Sequence, residues 1–387
     1  VNSAVALDFT EHLMSTSTPW YAIANAQDIA SPTVLVHTDR VEHNLRRMIE
    51  LVGGDPAKLR PHVKTHKLAQ IVAMKLALGI RKFKVSTIAE AEMTAQAGGA
   101  DILLAHQPSG PGIARLIALM QAYPKVQWST LVDDADNLAA LGHAAQAAGL
   151  TLPLYVDLNV GMNRTGIVPG DAAAALYAQL CRTPGVVAGG LHAYDGHLRN
   201  PDDAALEAQV RETFAPVWAL RERLLAQGLP VPRLIASGTP TFAIMARTAG
   251  IEVEVGAGTT ALWDFGQEEV SPSHRMHNAA VLMARVISKP TPDRICLDLG
   301  HKAVGSEMAH PRVQLFGLED AQAVVHSEEH LVLQTPRAAQ YHVGDVVYGL
   351  PRHVCPTMAL HSEVWAVRDG RAAERWPVTA RARRLTI

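Results

Sequence analysis

The sequence predicts a (β/α)8 barrel of the TIM type carrying an antiparallel β domain at its C-terminal end. Three observations lead there. Short apolar runs alternate with amphipathic segments from about residue 33 to 250. Eight such runs can be counted, each followed by a helical pattern. After about residue 275 the helices drop out and strand-like runs follow one another. Repeated βα units mean a parallel sheet, and eight of them suggest a closed barrel. An open doubly wound sheet is the alternative.

Thr33 to His37 reads as the first strand, followed by a helix over Arg40 to Val52 that Gly53-Gly54 ends. Leu59 to Val63 is the second strand and Lys82 to Val85 the third. A helix from Ile88 to Ala97 stops at Gly98-Gly99, a pair that breaks helices. Asp101 to Ala105 is the next strand, and Pro111 to Ala122 a helix with proline where the first turn tolerates it. Val126 to Val132, Leu152 to Leu158, Val186 to Ala193 and Leu234 to Ala236 complete the eight. Helical patterns fall between them at Ala135 to Ala148, Asp171 to Arg182 and Asp202 to Gln227. Further strands are expected at Val281 to Ile287, Arg294 to Asp298, His330 to Leu333, Asp345 to Tyr348 and Val364 to Val367. Asp369-Gly370 is a hairpin-type turn. The expected division is a barrel over residues 33–270 and a β domain over 271–387, with residues 1–32 packed on the latter.

Composition bounds what such a chain does. The 387 residues are 48% hydrophobic and 19% charged, which is globular. A formal net charge of −2 asks for neither nucleic acid nor an anionic membrane. The apolar runs are far short of a spanning helix. Val1 to Asp8 has no basic segment before an apolar one, so no signal peptide is expected. The three cysteines, Cys181, Cys296 and Cys355, fit a reducing cytoplasm rather than a disulfide framework.

The chemistry-bearing residues fall where strands end. Arg60-Pro61-His62-Val63-Lys64-Thr65-His66-Lys67 closes the second strand on a lysine. A partly desolvated amine at a strand end is how enzymes make a Schiff-base nucleophile. An ordinary solvated basic loop is the alternative. Arg164 follows the sixth strand; His192, Tyr194, Asp195 and His197 follow the seventh. Ser237-Gly238-Thr239 and Gly256-Ala257-Gly258-Thr259 are glycine turns with flanking hydroxyls, suited to a phosphate unless they are merely turns. His353-Val354-Cys355, read as extended, points both side chains one way. Imidazole and thiolate suit a divalent metal, zinc before manganese, although a buried cysteine near a satisfied histidine is the commoner arrangement. Asp264 reads as a cap, and His301 and His330 as structural at least as readily as functional.

With these pieces in place the chain resembles the D-threonine aldolase and D-serine dehydratase family of fold-type III pyridoxal-phosphate enzymes, the group of alanine racemase. The octapeptide resembles the family's Arg-Pro-His-x-Lys-x-His-Lys, which implies that Lys64 forms the Schiff base with pyridoxal 5'-phosphate. Gly161-Met162-Asn163-Arg164-Thr165-Gly166 is similar to the segment whose arginine contacts the cofactor phenolate. Ala193-Tyr194-Asp195-Gly196-His197 is similar to the one whose tyrosine lies by the pyridine ring. Gly238-Thr239 and Gly258-Thr259 fall where the family holds the phosphate, and His353-x-Cys355 matches its metal-binding pair. Two departures stand out. The best-known aldolases carry Asp at the second metal position, and a histidine where this chain has Asn200; the dehydratases carry Cys.

The resemblance implies a lyase acting on small β-hydroxy-D-amino acids, with His197 and His62 as candidate bases. Retro-aldol cleavage to glycine and an aldehyde is the first expectation. Dehydration of D-serine or D-threo-3-hydroxyaspartate is the alternative, amino-acid racemisation a weaker one, and a regulatory cofactor-holding protein the rival from another class. A homodimer is expected, with the β domain of one subunit closing the barrel mouth of the other.

Overall fold

The computed structural model describes residues 19–247 and 253–387. The segment Val1 to Asp8 lies outside them. Strand β1 (Thr33–His37) departs from the expected order. It belongs to the second sheet, where it pairs antiparallel with Ala280–Met283 and parallel with Trp365–Val367. The barrel sheet holds β2 (Lys82–Val85), β3 (Asp101–Leu104), β4 (Gln127–Val132), β5 (Leu152–Leu158), β6 (Val186–Ala193), β7 (Arg233–Ala236) and β8 (Val253–Val255), all parallel and in that order. β8 replaces β1 in the count. Its centre, Glu254, breaks the apolar run and hides the strand from a hydrophobicity reading.

Leu59–Val63 occupies the eighth place and closes the ring. The Arg60 and His62 amides donate to the Val255 and Ala257 carbonyls, each at 2.9 Å. On the other side the Val63 amide donates to the Lys84 carbonyl at 2.8 Å, and the Lys84 amide to the Pro61 carbonyl at 3.0 Å. Pro61 has no N–H, so the ladder is interrupted there and the segment makes isolated bridges rather than a regular strand. Lys64 therefore emerges from a backbone anchored on both flanks.

The reason for Arg60 is the lower end of the barrel. Its side chain is fully buried, paired with both Asp101 oxygens at 2.7 and 3.1 Å and with Glu254 at 2.6 Å. Lys82 reaches the other Glu254 oxygen at 2.6 Å. This cluster ties β2, β3 and β8 to the closing segment at the end where barrels keep stability rather than chemistry. Arg60→Met is expected to cost about 3 kcal/mol or more, because it strands buried carboxylates. Urea unfolding of wild type and variant measures this, and an unchanged midpoint would show the cluster to be neutral.

The second sheet adds β9 (Ala280–Thr291), β10 (Arg294–Leu297), β11 (Val313–Leu315), β12 (Gln322–His326), β13 (Leu331–Gln334), β14 (Val346–Pro351), β15 (Glu363–Arg368) and β16 (Arg371–Pro377). It runs β12-β13-β10-β9-β1-β15-β16, with β14 pairing β9 and β11. Apart from the β1–β15 pair the neighbours are antiparallel, as expected of this domain. A short helix, Val354–Leu360, leaves the end of β14 and returns toward the barrel mouth. No helix among the described residues is long and apolar enough to cross a membrane.

Candidate active site

A cavity of about 560 Å³ opens at the C-terminal end of the barrel strands. It gathers His62, Lys64, Arg164, Tyr194, the Ser237-Gly238-Thr239 turn and the Gly256 to Thr259 turn. Barrels place their reactive groups at this end because the strand-to-helix loops converge there.

Tyr194 organises one side. Lys64 Nζ lies 5.5 Å, and the Arg164 guanidinium carbon 4.9 Å, from its ring centroid. The Arg164 loop is held from beneath. Asn159 Oδ1 accepts from the amides of Gly161 and Asn163, each at 3.1 Å, and Asp133 accepts from the Gly166 amide at 2.8 Å. Gly166 sits at φ +94, where a Cβ would lie 2.6 Å from the Asn159 nitrogen, so no side chain fits.

The two glycine turns face each other. The Gly258 and Thr259 amides both donate to Thr239 Oγ1, at 3.2 and 3.3 Å. Two backbone donors converging on one oxygen are the elements of a phosphate cradle. An amine at the mouth, a flat phenol, a guanidinium and this pair of amides match what pyridoxal phosphate presents: an aldehyde, a ring, a phenolate and a dianion. The residues fit the cofactor.

The metal-type pair is built differently from its sequence reading. Cys355 lies in the first turn of the helix Val354–Leu360 and His353 is its N-cap, so the segment is not extended. Pro356 directly after Cys355 suits a first helical turn. The side chains still meet. Burial opposes charge on His353, but the Cys355 sulfur and the Glu307 carboxylate overcome it and raise the imidazole to about 9. Glu307 holds Nδ1, so Nε2 is the nitrogen that would face a metal, once the metal has displaced its proton. Asp264 is the expected cap, accepting from the Gln267 amide at 2.7 Å. Its second oxygen also accepts from the Val354 amide at 2.8 Å, and so fixes the loop.

Cys355 Sγ is 3.2 Å from Thr65 Oγ1, beside Lys64, and 4.0 Å from Thr259 Oγ1. The chain thus brings the pair to its own barrel, and no second subunit is needed to supply it. Among the described residues no group of three or more His, Cys, Asp or Glu is arranged as a metal cage. A metal held by His353 and Cys355 alone would keep open positions, which is the catalytic rather than the structural pattern.

Neither base expected from sequence sits well for the task. His197 is exposed, packed against Gly161 and outside the cavity lining. His62 lines the cavity, but both ring nitrogens are occupied. Nδ1 accepts from the Lys64 amide at 3.2 Å, so Nε2 carries the hydrogen and donates to Ser86 Oγ at 3.0 Å. Burial, then Lys64 and Lys84, hold it well below its ordinary value. His62 orients the Lys64 backbone. His301 and His330 do not line the cavity.

A lysine at the mouth of a barrel beside a two-amide cradle defines the class of proteins that hold an aldehyde cofactor by an imine. The chain belongs to the family described as "Alanine racemase, N-terminal domain", whose model matches residues 36–261. That membership implies pyridoxal phosphate. A second model, "Putative serine dehydratase domain", matches residues 279–367. A D-threonine aldolase of Arthrobacter sp is 31% identical over 91% of this chain and 93% of its own. A 3-hydroxy-D-aspartate aldolase of Paracoccus denitrificans (strain Pd 1222) is 27% identical over 97% and 98%. The crystal structure of D-threonine aldolase from Filomicrobium marinum superposes with TM-score 0.83 at 28% identity, over 94% of this chain and 99% of that one.

Proposed function

We propose that the chain is a pyridoxal-phosphate- and divalent-metal-dependent lyase that cleaves small β-hydroxy-D-amino acids, as a D-threonine aldolase does, to glycine and an aldehyde. The observation that carries this reading is Cys355 Sγ at 3.2 Å from Thr65, next to Lys64. A racemase on this barrel needs two bases and no metal donors. A donor pair beside the Schiff-base lysine makes sense when the bond broken involves Cβ.

Pyridoxal phosphate, when bound, supplies the electron sink for the pair released at Cα. The metal, zinc or manganese, supplies a Lewis acid for the β-hydroxyl. Lys64 is the residue that would hold the cofactor's aldehyde carbon as an imine, with loss of water. The Gly258 and Thr259 amides would exchange Thr239 Oγ1 for a phosphate oxygen, and the Thr239 hydroxyl would donate to the same group, with Ser237, Gly238 and Gly256 shaping the turns around it. Arg164 and Tyr194 orient the ring. His353 and Cys355 hold the metal. A homodimer in the cytoplasm is the setting this reading assumes; the free thiols of Cys181, Cys296 and Cys355 suit a reducing compartment.

Product analysis tests the reaction. D-threonine is expected to give glycine and acetaldehyde in equal amounts, with loss of turnover on chelation. Ammonia and a keto acid from D-serine or D-threo-3-hydroxyaspartate would instead mark a dehydratase. The cysteine at position 355 and the dehydratase-type match over residues 279–367 favour that second reading. Racemisation that survives EDTA would overturn both.

A further inference from the structure

Three strands bring an ionisable side chain to the floor of the cavity, and none of these three residues has a role in the function proposed above. Lys84 on β2, His192 on β6 and Asp157 on β5 are all buried and all line the cavity. They form a line. Asp157 Oδ1 is 2.6 Å from His192 Nδ1, and His192 Nε2 is 3.2 Å from Lys84 Nζ. Thr165 donates to the other Asp157 oxygen at 2.9 Å.

The hydrogens follow from the chemistry. Burial works against charge on Asp157, but the His192 ring and the Thr165 hydroxyl prevail and hold its pKa below the ordinary value. A carboxylate only accepts, so His192 Nδ1 carries a hydrogen. Burial, then Lys84, keeps the imidazole below its ordinary value, so it is neutral and Nε2 is an acceptor. Lys84 must donate to it, and either an amine or an ammonium can do so.

Gly256 makes the room. A Cβ there would lie 2.7 Å from Lys84 Nζ, so the amine occupies the space a side chain at 256 would fill. The groups facing Lys84 from the packed elements are Arg60, His62 and Lys64 on the closing segment, Asp157 on β5, His192 on β6, and Asp195 beyond it. β7 and β8 offer it Ser237 and Gly256, which do not ionise.

We propose that Lys84, steered by His192 and Asp157, is a proton-exchanging countercharge at the cavity floor that gains a proton when a phosphate-bearing cofactor binds. This rests on the reading of the cavity as a pyridoxal-phosphate site. Without the cofactor, burial, then Lys64 and Arg60, bring the amine down to about 7. A phosphate dianion entering the same cavity favours the ammonium. Lys84 is thus a positioning residue: it matches the cavity's charge to its contents, and at neutral pH it can give or take a proton without leaving its hydrogen bond to His192.

The test is an NMR titration of protein labelled at the lysine ε-carbons. The Lys84 signal is identified by its loss in Lys84→Met, or in Lys84→Arg should the methionine variant not fold. In the cofactor-free protein this carbon is expected to titrate near neutrality. Saturation with pyridoxine 5'-phosphate, which cannot form an imine, is expected to raise the midpoint by about one unit or more. Asp157→Asn is expected to lower it. A midpoint in the ordinary lysine range without ligand, or one that pyridoxine phosphate and Asp157→Asn leave unmoved, overturns the proposal. Failure to bind pyridoxine phosphate at all counts against the cofactor reading instead, while the ligand-free titration still reports on Lys84.

Discussion

Lys64→Ala is expected to abolish covalent cofactor attachment and to lower turnover by about a thousandfold or more, the scale of losing a positioned acid–base or nucleophilic group. The backbone around Lys64 argues that the loss will be chemical and not structural. Its flanks are held by hydrogen bonds from Arg60, His62 and Val63, none of which involves the Lys64 side chain. The variant should therefore fold and should still bind the phosphate end of the cofactor through Gly258 and Thr259. Wild type treated with borohydride should carry the cofactor mass on the peptide containing Lys64 and should lose its visible absorbance. The same treatment should leave Lys64→Ala unlabelled. Lys84 is the other cavity amine, so peptide mapping separates the two. A label on Lys84 in the wild type would reassign the Schiff base and sink the role given to Lys64.

The barrel was legible because its helices and most of its strands carry strong periodic patterns. Where the reading slipped, a local exception was responsible. Thr33–His37 is as apolar as a barrel strand, and only its partners, β9 and β15, place it in the other sheet. Such pairing is long-range and leaves no mark in a window of five residues. β8 escaped because Glu254, buried against Arg60 and Lys82, interrupts a three-residue strand. That the glycine-hydroxyl turns and the strand-end lysine line one cavity was legible because each follows a barrel strand and so falls on the same rim. His353 and Cys355 were picked out by residue type, although the geometry assumed for them was wrong; the turn that joins them is helical. The interior line was missed as a unit. Its signal was present: Lys84, Asp157 and His192 are each an ionisable residue set inside an apolar strand. Asp157 and His192 are register partners on neighbouring strands, but Lys84 lies on β2, four strands from β6 in the sheet, and only the closed barrel turns it toward them.

Cys355→Ala and His353→Ala are each expected to remove turnover while leaving the bound cofactor's absorbance intact. The two functions separate because they rest on different elements. The groups proposed for the cofactor lie on the barrel segments around Lys64, Arg164, Tyr194 and the two glycine turns, whereas the proposed metal donors sit at the N-terminal end of the helix that follows β14. Losing the Lewis acid removes several kcal/mol of transition-state stabilisation, so the fall should be on the order of a hundredfold or more. Glu307→Gln should act more gently. It leaves Nε2 in place but weakens the hold on Nδ1, and a loss of about ten- to a hundredfold in metal affinity is the usual scale for such a partner. Cys355→Asp is the informative variant. A carboxylate is harder than a thiolate, so the preference should move from zinc toward manganese, with activity restored by manganese after chelation. Metal content, absorbance and product yield measured on one preparation check all of these. If Cys355→Ala kept both its metal and its turnover of D-threonine, the sulfur 3.2 Å from Thr65 would be packing and not ligation, and cleavage at Cβ would need another electrophile.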